Sequence, residues 1–345
     1  MKTACSSRLT QILSSVFVFA IPALCSAQTY TITDLGTLGG TEMIATAINA
    51  SGEITGGSTN ASSAYHAFLY SNGHMTDLGT LGGPSSQGQG INSAGTIAGY
   101  AQLPPGPSGG YPPRPVSFYS AFTDSNGKMT ALDPVGGVAY GINDTGEVIG
   151  VGSSGAFLYS NGTMINLGSL SGPGGSTQPT GINASGEVVG YSYLPDGNFR
   201  GFLWANGSMT ALGTFGGDWS QAYAINKAGQ ITGTAYTSGN LSNVAFLLSN
   251  GKMENLGTLG GTIATGTAIN DSGVVVGYSN VPNPNAIVYH AFVYAGAKMQ
   301  DLNSLVPKNS GWVLSQANGV NDAGQIVGYG MINGLEHGFL LTPTK

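Results

Sequence analysis

Residues 47–83 read AINASGEITGGSTNASSAYHAFLYSNGHMTDLGTLGG, and this passage carries the plan of the whole chain. It holds two turn signals. Asn49-x-x-Gly52 reverses the chain tightly, because an Asn side chain accepts a hydrogen bond from the backbone two residues on and Gly supplies the left-handed residue that closes the hairpin. Asn72-Gly73 is the strongest short signal for a second hairpin. Around these turns lie four short apolar stretches, ATAIN, EITGG, HAFLY and MTDLG. One unit therefore reads as four antiparallel strands, the third of which carries a Phe.

The unit recurs. Small-apolar-Asn-x-x-Gly occurs seven times, with Asn49, Asn92, Asn143, Asn183, Asn226, Asn270 and Asn321 spaced by 43, 51, 40, 43, 44 and 51 residues. A β-branched pair and a Gly follow each copy, as in EITGG, EVVGY and QIVGY, and each copy has its Phe, from Phe68 to Phe339. Five copies continue into Asn-Gly, and six place Met three residues before Leu. In the first strand a small residue precedes Ile or Val, so one face is thin and the other bulky, as stacked sheets require. Four strands per 40 to 51 residues, repeated seven times, predict an all-β fold, a seven-bladed β-propeller with four-stranded blades.

The ends supply an independent check. YTITDLG near the start reads as a fourth strand with no blade before it, and HGFLLTPTK as a third strand with no fourth after it. Joined, they complete the seventh blade from both termini and leave no open sheet edge at ring closure. The expected layout is a secretory leader over 1–27 and one propeller domain over 28–345. The leader reading rests on Lys2 and Arg8, an apolar run from Ile12 to Leu24 too short to span a bilayer, and small residues at Cys25-Ser26-Ala27. Cleavage near Ala27 would deliver the chain to the periplasm or the outside.

Both cysteines, Cys5 and Cys25, fall within that leader, so the mature chain would contain no disulfide, thiolate metal site or cysteine nucleophile. Without Lys2 and Arg8 the balance is 8 basic against 16 acidic residues, a net charge of −8. Nucleic acids and anionic membrane surfaces demand clustered Lys and Arg, so neither is an expected partner. Only 8% of residues are charged, against about a quarter in ordinary domains, while 57 of 345 are Gly, which suits short strands joined by tight turns. No membrane span, cofactor or metal is expected, and the chain is read as a monomer.

The passage HAFLYSNGHMTDLGTLGG, preceded by AINASGEITGG, resembles the extracellular HAF repeat family, named for its His-Ala-Phe triplet. The resemblance covers the chain from residue 28 onward and implies an exported bacterial repeat protein, with no activity attached to the family. The triplet is His-Ala-Phe at His66 and His290 and becomes SAF, GAF, RGF, VAF and HGF elsewhere.

Propeller geometry places the two hairpin turns of each unit on one face and the longer, variable connections on the other. Variable loops on a rigid scaffold are where binding residues concentrate. On that loop face the candidates are Tyr111, Arg114, Tyr193, Asp196, Arg200, Asp218, Trp219, Tyr289 and Trp312. Asp218-Trp219 replaces small residues after GTFGG; an aromatic beside a carboxylate suits carbohydrate, and equally suits a loop packed down. His66, His290 and His337 share one position on neighbouring blades. With strands ~4.8 Å apart, equivalent points on adjacent blades are roughly 15 Å apart, whereas zinc–nitrogen bonds are about 2.0–2.1 Å. They share no metal and are expected to pack beside the Phe strand, with His74 exposed. Repeated Glu53, Glu147 and Glu187, and Asp144, Asp271 and Asp322, read as turn and edge solubility. The unrepeated acids Glu42, Asp133, Asp196, Asp218 and Glu336 would have to pair for glycosidase chemistry. No G-x-S-x-G elbow, phosphate loop or HExxH occurs. The leading expectation is a binding module for carbohydrate or a protein ligand. A propeller glycoside hydrolase or lyase, and a structural matrix protein without a discrete site, are the alternatives.

Overall fold

In a computed structural model of the chain, which describes residues 28–104, 118–132 and 136–344, every Asn-x-x-Gly segment is a hairpin turn and every Phe strand is the third of its sheet. The leader reading, Tyr111, Arg114 and Asp133 lie outside the described residues. Seven four-stranded antiparallel sheets form the ring, a seven-bladed β-propeller. Blades 1 to 6 span residues 39–77, 86–131, 137–166, 177–211, 216–257 and 264–301, and blade 7 joins 312–343 to Tyr30–Asp34. That closing strand pairs antiparallel with Leu335–Pro343, from Tyr30 opposite Pro343 to Asp34 opposite Phe339, as the sequence predicts. Among the described residues no helix is long and apolar enough to cross a membrane.

The Asn-Gly turns take their expected form. Asn72, Asn126, Asn161, Asn206 and Asn250 have φ between 50° and 55°, each followed by a positive-φ Gly, the geometry of a two-residue hairpin. In blade 6 the same turn is made by Gly296 and Ala297, the latter at φ 61°.

Cores lie between blades. The apolar clusters combine strands of two neighbouring blades; Ile149, Ala156 and Leu158, on the second and third strands of blade 3, for example, meet Val188, Phe202 and Trp204, on the second and third strands of blade 4. Six of the seven Phe rings are fully buried and Phe157 nearly so. The ring has room because a Gly stands opposite it. A Cβ on Gly190 would collide with the Gln178 carbonyl and the Phe202 ring, and the equivalent glycines of the other blades face the same inner-strand carbonyl. There the inner strand is bulged in every blade, as between Pro179 and Gly181, which brings that carbonyl inward.

The repeated Asn does more than make its turn. Its Oδ1 accepts the backbone N–H four residues on in all seven blades, at 2.9–3.0 Å. Its Nδ2 donates to the carbonyl of the next blade's Asn at 3.0–3.3 Å: Asn49 to Asn92, and onward until Asn321 returns to Asn49. The seven residues, each 4–6% exposed, form a closed hydrogen-bonded ring around the axis.

Two expectations are corrected by this geometry. Glu53, Glu147 and Glu187 are not there for solubility: each carboxylate accepts the second Nδ2 hydrogen of its ring Asn at 2.7–2.8 Å, as the amide oxygens of Gln230 and Gln325 do at 2.8 Å. Asp144, Asp271 and Asp322 accept the backbone N–H of Ser93, Lys227 and Asp271 in the preceding blade, at 2.8–2.9 Å. The histidines also do more than pack. His66, His290 and His337 bond through Nδ1 to Asp77, Asp301 and Asp34 on the fourth strands of their own blades, at 2.7–3.0 Å. His74 is exposed as expected.

One buried carboxyl breaks the repeat. Asp124 occupies the position of Tyr70, Tyr159, Trp204 and Tyr294, is 2% exposed, and accepts only the Gly127 N–H at 3.0 Å, its Oδ2 having no partner among the described residues. Burial pushes this carboxyl above the usual range, against the lowering by Gly127. Because the folded state holds the proton more tightly than the unfolded chain, stability falls as pH rises through the ordinary carboxylate range and stays reduced at neutral pH. Asp124→Asn removes the buried negative charge and is expected to raise stability at pH 7 by about 1–3 kcal/mol, with the gain shrinking near pH 3 in thermal melts. Asn143→Ala removes one link of the ring and leaves backbone groups of two blades unpaired; denaturant titration is expected to show a loss of about 2–4 kcal/mol.

Candidate functional site

The axial channel has two mouths with different chemistry. The hairpin-face mouth, about 360 Å³, is bounded by the Asn ring and by Asp144, Asp271, Asp322 and Lys227. Its three carboxylates already accept backbone N–H groups across blade boundaries, so this mouth is a clamp between blades.

The loop-face mouth opens as a funnel of about 350 Å³. The residue three before each ring Asn faces it: Thr46, Gln89, Tyr140, Thr180, Tyr223, Thr267 and Asn318. In four blades this residue ties its blade to the next: Thr46 donates to the Gly88 carbonyl, Thr180 to Ala222, Thr267 to Ala317 and Asn318 to Ala45, at 2.7–3.0 Å. In blades 2, 3 and 5 Gln89, Tyr140 and Tyr223 break that pattern and line the funnel with larger groups, beside Tyr278 and Gln316.

Further phenols surround this rim. Tyr100 donates to Gln87 at 2.5 Å, Tyr223 to Gln221 at 2.6 Å and Tyr329 to Gln316 at 3.2 Å. Burial pushes the Tyr100, Tyr191, Tyr223 and Tyr329 hydroxyls up, and neighbouring tyrosines push them further, so all remain protonated at neutral pH. Among the described residues no charged side chain lines the funnel. It offers rings, hydroxyls and amides, a set that orients a neutral ligand by stacking and hydrogen bonds.

The structure sorts the sequence-derived candidates into separate places. Tyr193, Arg200, Asp218 and Trp219 meet across blades 4 and 5. There Trp219 is wedged between Phe199 and Tyr236, with ring centroids 5.0 and 4.2 Å away, and Tyr193 packs on Phe199 at 5.8 Å. Arg200 Nη1 donates to the Asp218 carbonyl, and Asn240 Nδ2 to the Asp218 carboxylate. The polar groups of this cluster satisfy one another and Trp219 is half-buried, so the cluster holds its loops down. Asp196 caps its own turn, accepting the Asn198 N–H at 2.9 Å, which lowers its carboxyl. Trp312 packs edge-on to Phe339 at 6.2 Å, against the core between blades 6 and 7. Tyr289 stands apart, edge-on to the funnel residue Tyr278 at 5.3 Å.

Of the unrepeated acids, Glu42 and Glu336 approach one another across blades 7 and 1. Burial first, and then Glu42, push the Glu336 carboxyl up, and burial, Tyr100 and these two acids push Tyr65 up to about 12.

Sequence reasoning overlooked the funnel itself. The signal was present in the first strand: the residue three before Asn varies as Thr, Gln, Tyr, Thr, Tyr, Thr, Asn while its neighbours repeat. The His–Asp pairs had a signal too. Asp stands opposite the Phe only in the three blades whose triplet begins with His, and Ala131, Asn166, Ala211 and Asn255 stand there in the others.

No family model and no curated protein matches the chain. Solved structures with a similar fold include the β-propeller domain of the Trilobed protease from Pyrococcus furiosus, described as having an open velcro topology. It is 10% identical, with a TM-score of 0.52 over 92% of this chain and 98% of that one. YCF48 bound to D1 peptide is 12% identical, with a TM-score of 0.51 over 93% and 96%. A puromycin-hydrolyzing peptidase of Mycobacterium tuberculosis is 11% identical, with a TM-score of 0.54 over 88% of this chain, which spans 51% of the peptidase's length. At these identities the likeness is one of fold: the chain is a β-propeller.

Proposed function

We propose that the chain is an exported binding module of the HAF repeat type, holding a carbohydrate or protein ligand at the loop-face funnel. The observation that carries this reading is the neutral lining: Gln89, Tyr140, Tyr223, Tyr278 and Gln316 replace the uniform repeat at the channel mouth with rings and amides. A structural matrix protein would have no use for that departure, since a Thr at the same position bonds the next blade. Among the described residues no carboxylate or histidine lines the funnel. One solved propeller of similar fold holds a peptide, YCF48 with D1 peptide, in keeping with this reading.

The hydrolase or lyase alternative is favoured by one feature, the charge interaction between Glu42 and Glu336 on strands that pack together across blades 7 and 1. Paired carboxylates of which one has a raised pKa are what glycoside chemistry uses.

The test applies the labelled, purified chain to a glycan array and to a tiled peptide array, beside Tyr140→Ala, Tyr278→Ala and Trp219→Ala. Specific spots are expected on one array, weakened about tenfold by either funnel substitution and retained by Trp219→Ala, which removes a side chain that does not line the funnel. Spots that survive both funnel substitutions, an absence of specific spots on both arrays, or steady consumption of a glycan would overturn the binding reading.

A further inference from the structure

Nine large apolar side chains stand exposed among the described residues, and four of them line one groove. Ile287, Tyr289, Val313 and Met331 are 68%, 37%, 47% and 39% exposed. The groove crosses the loop face between blades 6 and 7, holds about 500 Å³, and shares Tyr278 and Gln316 with the funnel. Clustered apolar exposure of this kind marks an interaction site, whereas single exposed side chains need no explanation.

Three of those four walls are aliphatic. A sugar ring prefers a flat aromatic platform, while branched and thioether walls fit another aliphatic side chain. The rim is acidic. Glu336 lies opposite Met331 where the second and third strands of blade 7 pair, at the position where blades 1, 2, 4 and 6 carry Tyr65, Tyr119, Phe199 and Tyr289. Its charge reaches the groove residue Tyr329, and Glu42 of blade 1 lies near it. Among the described residues the ion pairs are the three His–Asp pairs, so neither glutamate has a cationic partner. The acidic rim repels anionic lipid headgroups. It attracts Lys or Arg.

We propose that the groove between blades 6 and 7 receives an extended segment of a partner protein, an aliphatic side chain entering between Ile287, Val313 and Met331 while an adjacent Lys or Arg meets Glu336 and Glu42. This rests on the binding-module reading and assigns its ligand to peptides. Tyr278 and Gln316 carry the segment from the groove into the funnel.

Fluorescence anisotropy tests it with three labelled decapeptides on one Gly-Ser background, carrying two Leu with two Lys, two Leu with two Glu, or two Ser with two Lys. The Leu-Lys peptide is expected to bind, and the other two to bind about tenfold more weakly or not at all. Val313→Asp is expected to abolish binding. Glu336→Gln and Glu42→Gln, which leave the apolar groove intact, are each expected to weaken the Leu-Lys peptide roughly two- to fivefold and flatten its salt dependence. Equal binding of the Leu-Lys and Leu-Glu peptides, no binding of any peptide, or indifference to Val313→Asp would overturn the proposal. A glycan signal that Tyr140→Ala removes and Val313→Asp spares would reject the peptide groove while leaving the funnel reading standing. Silence on the arrays as well would reject both.

Discussion

The structure depends on a circle of seven asparagine amides. Each ring Asn must accept from the backbone of its own turn and donate forward to the next blade, so the position needs an acceptor and a donor on one short planar group. Asn provides both. Asp lacks the donor, Ser lacks the reach, and Gln adds a methylene that would carry the amide past the carbonyl it has to meet. A closed circle also has no terminal member. Asn321 donates to Asn49 only when blade 7 has folded onto blade 1, and blade 7 is complete only when Tyr30–Asp34 pairs with Leu335–Pro343. The ring and the joining of the two chain ends therefore enforce one another. Cooperativity enters a repeat architecture that otherwise couples only neighbours.

A second constraint follows from crowding at the bulge. The inner strand turns a carbonyl toward the second strand just where the Phe ring of the third strand must lie. Gly is the residue that lets both remain, because a Cβ would occupy the same space. This accounts for the composition. Each blade needs a Gly to pass the bulge and others at its turns, and the apolar surface left over is buried in seven thin seams rather than one core. Thin seams made of Ala, Val, Ile and one Phe leave few places for charge. The low charge content is thus a consequence of the architecture.

The blade plan and its closure were legible in the sequence alone, while the asparagine circle and the bulge were not. Asn-x-x-Gly, the Gly after the β-branched pair, the Phe and Asn-Gly are local signals with fixed offsets, and the split seventh blade follows from strand arithmetic at the two ends. What escaped reading depends on partners outside the repeat. Glu53 and Glu147 look like surface acids in the sequence, because nothing local shows that the Asn four residues earlier has a spare hydrogen. Asp218-Trp219 stood out as an irregularity, and the aromatic neighbours Phe199 and Tyr236 that close over it come from other strands. Trp312 reads as a loop-face candidate, yet the Phe339 ring it packs on lies 27 residues further along the chain. The funnel escaped because variation was sought in the long loops, while its lining comes from short, regular inner strands.

That location carries its own logic. A propeller can vary its loops freely, but loops bring few rigid groups to the axis. The inner strands bring one residue per blade to the channel, held by sheet pairing on one side and by the Asn ring below. Four blades use that residue to grip the next blade, through Thr46, Thr180, Thr267 and Asn318. The Asn ring already fastens every blade to its neighbour, so this upper grip is redundant in part, and blades 2, 3 and 5 dispense with it. The redundancy supplied by the lower ring is what frees Gln89, Tyr140 and Tyr223 from structural duty. Those three positions, rigidly mounted and not tied to the next blade as their Thr and Asn counterparts are, are where this architecture can place recognition without weakening itself.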